Sequence, residues 1–123
     1  MKVPYEQAAP FVTKDGSIVR ELIHPRRGYA AGQSLAAATV PPGSRTALHI
    51  HLRSEEIYHV TRGRGTMVLG EESFGIAPGD SVLIPPGMPH RLVQSGGEEL
   101  VVLCCCSPPY SDDDTELLRE EEE

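Results

Sequence analysis

The sequence predicts an all-β sandwich or barrel in a single domain. Twelve glycines and eleven prolines divide the 123 residues into short segments, and most of these segments are rich in β-branched and apolar residues or alternate between polar and apolar ones. No helical period is sustained before residue 112. A chain of this length has room for one domain and buries enough surface to fold without disulfide bonds.

Nine strands are predicted, each bounded by turn residues. The first follows a Lys-Asp-Gly turn at 14–16, and Pro-Pro-Gly triplets at 41–43 and 85–87 break the chain after the second and seventh. A Gly-Glu-Glu segment at 70–72 joins the fifth and sixth strands as a hairpin. The expected strands are 17–23, 33–40, 46–52, 56–61, 66–69, 74–77, 81–84, 90–94 and 100–106. The only candidate helix is a turn or two within 115–122.

The charge is divided unevenly along the chain. The net charge is −7, and all of it follows Ser111, where residues 112–123 carry eight acids and one Arg. We therefore expect a neutral β-barrel over 1–111 and an acidic C-terminal tail over 112–123 that is solvated and aids solubility. No basic patch emerges, which disfavours nucleic acid as a partner.

Neither a membrane nor an oxidising compartment is indicated. The longest apolar run is the seven residues from Leu100 to Cys106, which is far too short for a membrane span. The first six residues lack the apolar core of a secretory signal, so a cytoplasmic protein is expected. Cys104, Cys105 and Cys106 are consecutive and cannot form a disulfide framework; Cys104 and Cys106 should share one strand face as small buried apolar residues.

Three of the histidines are the strongest candidates for functional residues. His49 and His51 lie two apart on a predicted strand, so both imidazoles project from one face. Glu56 opens the next strand, and His90 follows the second Pro-Pro-Gly break. Three imidazoles and a carboxylate suit a divalent ion such as iron, manganese, nickel, copper or zinc.

These residues stand within two spaced motifs. The first has Gly43, five residues, His49-x-His51, four residues, Glu56, six residues and Gly63. The second has Gly79, five residues, Pro85-x-Gly87, two residues and His90, with Gln94 four positions later. Together they resemble the two motifs of the cupin superfamily over residues 43–94, with fifteen residues between them and Gln94 where the family pattern has Asn.

The resemblance is to small single-domain cupins of the group labelled mannose-6-phosphate-isomerase-like. It implies a double-stranded β-helix, or jelly roll, in which His49, His51, Glu56 and His90 bind one metal inside the barrel. Glu55 is the rival for the acidic position, but Glu56 keeps the six-residue gap to Gly63.

Strand parity suggests residues around the metal. Tyr58 shares a face with Glu56 and is a candidate proton donor or cavity wall, and Arg45 is a candidate anchor for a substrate carboxylate or a surface residue at the rim. Gln94 shares parity with His90 and is expected to line the cavity. His59 falls on the opposite face and is interpreted as a structural or interface residue.

Two functions fit this pattern. The first is a mononuclear metalloenzyme that acts on a small polar metabolite, because four protein ligands leave open positions on an ion that accepts six. The alternative is a non-catalytic cupin that binds a metal or small ligand, such as a small-molecule sensor or a storage barrel. We also expect a homodimer, since small cupins commonly pair through a sheet edge.

Overall fold

A computed structural model describes residues 1–28 and 32–119, and within them eleven strands and three short 3₁₀ helices form the fold. The 3₁₀ helices are Tyr5–Gln7, Pro25–Arg27 and Asp112–Asp114. The strands are β1 Phe11–Val12, β2 Ile18–Ile23, β3 Ser34–Val40, β4 His49–His51, β5 Glu55–Arg62, β6 Arg64–Leu69, β7 Glu72–Ile76, β8 Ser81–Ile84, β9 His90–Ser95, β10 Leu100–Ser107 and β11 Thr115–Leu117. No helix in this part of the chain is long and apolar enough to cross a membrane.

The strands form two antiparallel sheets. One has the order β1-β2-β3-β10-β5-β8, and the other has the order β11-β4-β9-β6-β7. Each predicted strand overlaps an observed one. The predicted all-β jelly roll is therefore confirmed.

Alternation along β5 shows how the sequence fills the barrel. Glu56, Tyr58 and Val60 are buried, while Ile57 and His59 between them are exposed. Val60 belongs to a dry apolar core with Met67, Leu92 and their neighbours. The interior is therefore apolar at one end and lined by polar side chains at the other, where Glu56 lies.

Gly63 ends β5 where another backbone segment passes close by. Its φ is +76°, in the left-handed region, and a Cβ there would clash with the backbone carbonyl oxygen of Glu99. A residue with a side chain would have to push the turn before β10 away. The glycine that closes the first motif thus fixes the β5–β6 turn against that segment.

The C-terminal segment departs from expectation. Residues 115–117 form β11, which pairs with β4 so that Thr115 opposes His51 and Leu117 opposes His49. The helix expected within 115–122 is therefore wrong over these residues, and the barrel continues past the expected boundary at 111. The acidic composition of this segment suggested a solvated tail, yet one of its acids attaches it to the barrel. Asp114 is buried and accepts hydrogen bonds from the backbone N–H groups of Arg53 and Ser54. Residues 120–123 lie outside the described part of the chain.

Candidate metal centre

Adjacent strands bring three histidines together. His49 and His51 project from β4 to the same side, and His49 pairs in register with His90 on β9. All three side chains are at most 4% exposed, and one ring nitrogen from each lies within 4.8 Å of those of the other two. The structure therefore places the three predicted imidazoles around one point.

Backbone carbonyls set the orientation of two of these rings. The Nδ1 atom of His49 is 2.8 Å from the carbonyl oxygen of Ala47, and Nδ1 of His90 is 2.9 Å from that of Met88. A carbonyl oxygen only accepts, so in each neutral ring Nδ1 carries the proton and Nε2 keeps its lone pair. This is the tautomer that a metal-binding imidazole needs.

The third ring is held by the C-terminal segment. Nδ1 of His51 is 3.0 Å from the Thr115 hydroxyl, which donates its own proton to the Ser111 carbonyl oxygen at 2.8 Å. The hydroxyl oxygen must then accept from Nδ1 of His51, which leaves Nε2 of His51 free as well. Sequence reasoning missed Thr115, because nothing local links it to a histidine 64 positions earlier.

Glu56 completes the cluster. Its Oε1 atom lies 3.0 Å from Nε2 of His51 and 3.4 Å from Nε2 of His90. These are close approaches without hydrogen-bond geometry, and both Glu56 Oε1 and His90 Nε2 are buried without a hydrogen-bond partner. The rival Glu55 is exposed. The position of the carboxylate therefore favours Glu56 as the acidic ligand.

A pair of substitutions tests this choice. Glu56→Gln should lower metal affinity by about tenfold or more, because a neutral amide replaces an ionised ligand. Glu55→Gln removes the same negative charge, but on the exposed face of the strand, and should leave the metal affinity within about twofold of the wild-type value. Metal titrations of the two apoproteins make the comparison, and equal losses in both variants would contradict the assignment.

Electrostatics favour a neutral ring at His49 and an ionised carboxylate at Glu56. Burial, followed by the neighbouring His90, lowers the pKa of His49. Burial alone would raise the pKa of Glu56, but the approach of His51 and His90 outweighs it and lowers that pKa from 4.5 to about 2. His49 and Glu56 are thus held in the protonation states that a divalent ion requires.

Acid should destabilise the metal-free protein as a result. Below the ordinary histidine pKa of 6.5, the unfolded chain binds a proton at position 49 that the folded chain resists. The contribution of Glu56 is present above pH 4.5 and is lost as the pH falls toward about 2. We expect the Tm of the apoprotein to fall from pH 7 to 5 and His49→Gln to flatten that slope; an unchanged slope would contradict the role given to His49.

Asp15 is a further acid at the centre, and the sequence placed it only in a turn. Its Oδ2 atom lies 3.6 Å from Nε2 of His49. Its Oδ1 atom accepts hydrogen bonds from the Thr13 hydroxyl and from the N–H and hydroxyl of Ser17. Oδ1 is thereby occupied, and Oδ2 is the atom turned toward the histidines.

These groups line one cavity between the two sheets. It encloses about 660 Å³, part of which is open to solvent. Besides His49, His51 and Glu56, its walls hold hydroxyl, aromatic, small and acidic side chains. These are Phe11, Thr13, Asp15, Ser17, Val19, Glu21, Ser34, Ala36, Ala38, Thr46, Tyr58, Leu92, Cys104, Cys106, Tyr110 and Thr115.

Tyr58 lies where strand parity put it. Its ring centroid is 5.9 Å from that of His90. Burial, then the charge of Glu56, raises the pKa of Tyr58 well above its usual range. The phenol therefore stays protonated at neutral pH and is able to donate a hydrogen bond.

Two other candidates lie outside the cavity wall. Arg45 is exposed and does not line the cavity, because β4 begins only at His49 and strand parity does not extend back to residue 45; its position agrees with the alternative of a surface residue. Gln94 is buried but is not part of the cavity wall; its Oε1 accepts from the N–H of Gly43, and its Nε2 donates to carbonyls of the β9–β10 turn. Gln94 thus joins two turns. His59 is exposed, with Nδ1 2.8 Å from the Ser81 hydroxyl.

The cysteines divide between faces as expected. Cys104 and Cys106 line the cavity, whereas Cys105 does not. The Cys106 thiol donates to Oε2 of Glu56 at 3.3 Å, and burial together with that carboxylate raises the thiol pKa far above its usual range. Cys106 therefore does more than fill space, since it holds the oxygen of Glu56 that faces away from His51 and His90.

The three imidazoles and the Glu56 carboxylate fit a metal ion. Three Nε2 atoms with lone pairs and one ionised carboxylate converge, and two of these buried atoms have no other partner. Burying such groups unpaired is costly, whereas binding a cation satisfies them. Nitrogen and carboxylate donors suit first-row divalent ions.

Known proteins resemble this chain in sequence or in fold. The chain is 50% identical over 96 residues to the uncharacterized protein MJ1618 of Methanocaldococcus jannaschii, and the match covers 78% of this chain and 77% of that one. PAC13 of Streptomyces, a nucleoside dehydratase, superposes in a structure with uridine at a TM-score of 0.78 and 18% identity, over 96% of this chain and 90% of that one. A predicted oxalate decarboxylase of Thermotoga maritima superposes at 0.77 and 22% identity, over 87% and 98%.

The two structural likenesses concern the fold alone. Family membership rests on sequence, because the model of the cupin domain matches residues 36–106. That range contains both spaced motifs and every residue of the histidine–glutamate cluster. The chain belongs to the cupin family.

Proposed function

We propose that this protein is a metal-dependent enzyme whose mononuclear centre acts on a small polar metabolite in the barrel. One observation carries the proposal: Oε1 of Glu56 and Nε2 of His90 are buried without hydrogen-bond partners among imidazoles whose Nε2 atoms are unprotonated. A purely structural cluster would pair these atoms with one another or with other protein groups.

The ligands in this proposal are His49, His51, Glu56 and His90. A bound divalent ion of iron, manganese, nickel, zinc or copper would supply Lewis acidity toward substrate oxygens. The chain contributes orientation through the bonds to the Nδ1 atoms, and its two sheets enclose the site. Tyr58 donates a hydrogen bond or proton to a substrate bound beside His90.

The activities of related folds support an enzyme without selecting its reaction. One neighbour is a nucleoside dehydratase and another is a predicted oxalate decarboxylase. Elimination and decarboxylation both gain from a cation that stabilises negative charge developing on oxygen. Function follows the side chains of the site rather than the fold, so the cavity of this chain has to identify the substrate.

The test has two parts. Protein purified without a metal-chelating tag should contain about one equivalent of a first-row metal, and re-addition of that metal to apoprotein should raise Tm. A substrate screen under air and under nitrogen, with Tyr58→Phe as the matched variant, should then find a turnover that needs metal and falls on loss of the hydroxyl. Metal binding with no turnover across the screen would favour the alternative, a ligand-binding barrel.

We also propose a homodimer. Ile57 and Leu83 oppose each other across β5 and β8, and both are about half exposed on the outer face of the six-stranded sheet. Covering this edge would bury apolar area and unpaired strand groups. Light scattering should give twice the chain mass of 13.4 kDa and Leu83→Lys should reduce it; a monomer at micromolar concentration would contradict the proposal.

A further inference from the structure

The charged groups around the cavity all have the same sign. Among the described residues, its walls include the carboxylates Asp15, Glu21 and Glu56 and no Lys or Arg. Glu21 is neutralised from outside by Arg26, whose Nε donates to Oε1 at 3.0 Å. Glu56 belongs to the proposed metal centre, so Asp15 is the acid whose charge acts on whatever enters.

Asp15 is fixed in place. Three donors hold its Oδ1 atom, its backbone carbonyl accepts from the N–H of Ala47 at 2.8 Å, and its side chain is only 14% exposed. The adjacent cation, Lys14, is not part of the cavity wall, and its Nζ donates to the carbonyl oxygens of Asp112 and Thr115. The carboxylate therefore cannot swing away from His49 without breaking several bonds.

The charges of the loaded site then cancel. A divalent ion contributes +2, and Glu56 and Asp15 remove one unit each. An anionic ligand that enters this site is repelled by the fixed charge of Asp15, and the cavity wall holds no Lys or Arg side chain that would offset this repulsion. A neutral ligand meets hydroxyl groups and aromatic rings, among them Thr13, Tyr58 and Tyr110.

We propose that Asp15 makes the centre selective for neutral ligands that bind through hydroxyl and carbonyl oxygens, against carboxylates and phosphates. The inference rests on the proposed metal centre and names the substrate class of that site. Asp15 acts here as a specificity-determining residue, and its role requires no change in its protonation.

Two probes that differ by one charge test this. L-lactate and L-lactamide present the same hydroxyl and a carbonyl oxygen, and binding of either to Mn(II)-loaded protein broadens its methyl proton signal. Titration gives a Kd for each probe in the wild type and in Asp15→Asn, which keeps an oxygen for the three donors. Glu71→Gln is the control, because it makes the same change in net charge at an exposed turn outside the cavity.

In Asp15→Asn, the ratio of the lactate Kd to the lactamide Kd should fall by about tenfold or more, through tighter lactate binding. Glu71→Gln should leave the ratio within about twofold. Phe11→Lys adds a cation to the cavity wall without touching the bonds of Asp15, and it should shift the ratio in the same direction. If Asp15→Asn does not fold, Asp15→Ser decides the question, because it also removes the charge and leaves a hydroxyl oxygen at this position.

The failures are distinguishable. A wild-type protein that binds no Mn(II) or other first-row ion would overturn the metal centre and this inference together. If the protein binds Mn(II) but the ratio is unchanged in Asp15→Asn, or in Asp15→Ser where that variant decides, the selectivity alone is overturned. A shift of equal size in Glu71→Gln would also overturn it, because the effect would then come from net charge.

Discussion

His90→Ala is expected to reduce bound metal from about one equivalent to below about a tenth of an equivalent per chain at micromolar concentrations. His90 is fully buried, pairs in register with His49, and has an Nε2 atom with no other partner. Its loss removes one of four donors from the centre of the cluster. His90→Gln keeps most of the volume and should lose metal as well, which separates lost ligation from a packing defect.

The matched control is His59→Ala. His59 is exposed on the outer face of β5, where Nδ1 meets the Ser81 hydroxyl, so this variant should keep its metal. Elemental analysis of tag-free protein and metal titration of the apoproteins provide the readout. Metal loss in His59→Ala with retention in His90→Ala would overturn the ligand assignment.

Strand alternation made part of this site predictable. A period of two places His49 beside His51 and Glu56 beside Tyr58 whatever the rest of the fold does. What alternation does not encode is depth along the barrel. Gln94 shares parity with His90, but four residues of strand carry it about 13 Å away, to the end where it joins two turns.

Asp15 and Thr115 could not be predicted as site residues from the sequence, for another reason. Each enters the site through contacts across the chain: Asp15 meets His49 from the turn before β2, and Thr115 meets His51 through the β11–β4 pairing. Local composition describes the first as a turn residue and the second as part of an acidic run. Only the sheet order brings them to the histidines.

Truncation of the C-terminal segment is the second change with a large expected effect, on both stability and metal affinity. Deleting 112–123 should lower the free energy of unfolding by about 3 kcal/mol or more, a fall in Tm of roughly 10 °C. It removes β11 and the Asp114 carboxylate that accepts the N–H groups of Arg53 and Ser54. Metal affinity should fall by about ten- to a hundredfold, because Nδ1 of His51 loses its acceptor.

Deleting only Glu120–Glu123 should leave Tm and metal affinity unchanged. It should instead lower solubility near neutral pH, because residues 1–111 carry no net charge and repel their neighbours weakly. A severalfold change in metal affinity at low salt would show that these glutamates act on the centre.

Thr115→Val separates the two roles of the segment. Valine keeps the shape and the strand but accepts no hydrogen bond, so Nδ1 of His51 loses the partner that holds its ring. Metal affinity should fall by about tenfold or more while the strand pairing of β11 persists. Thr61→Val, at an exposed threonine that donates to the Val101 carbonyl oxygen, is the control and should keep its affinity. If Thr115→Val bound metal like the wild type while the 112–123 deletion did not, the segment would act by closing the barrel and not by orienting His51.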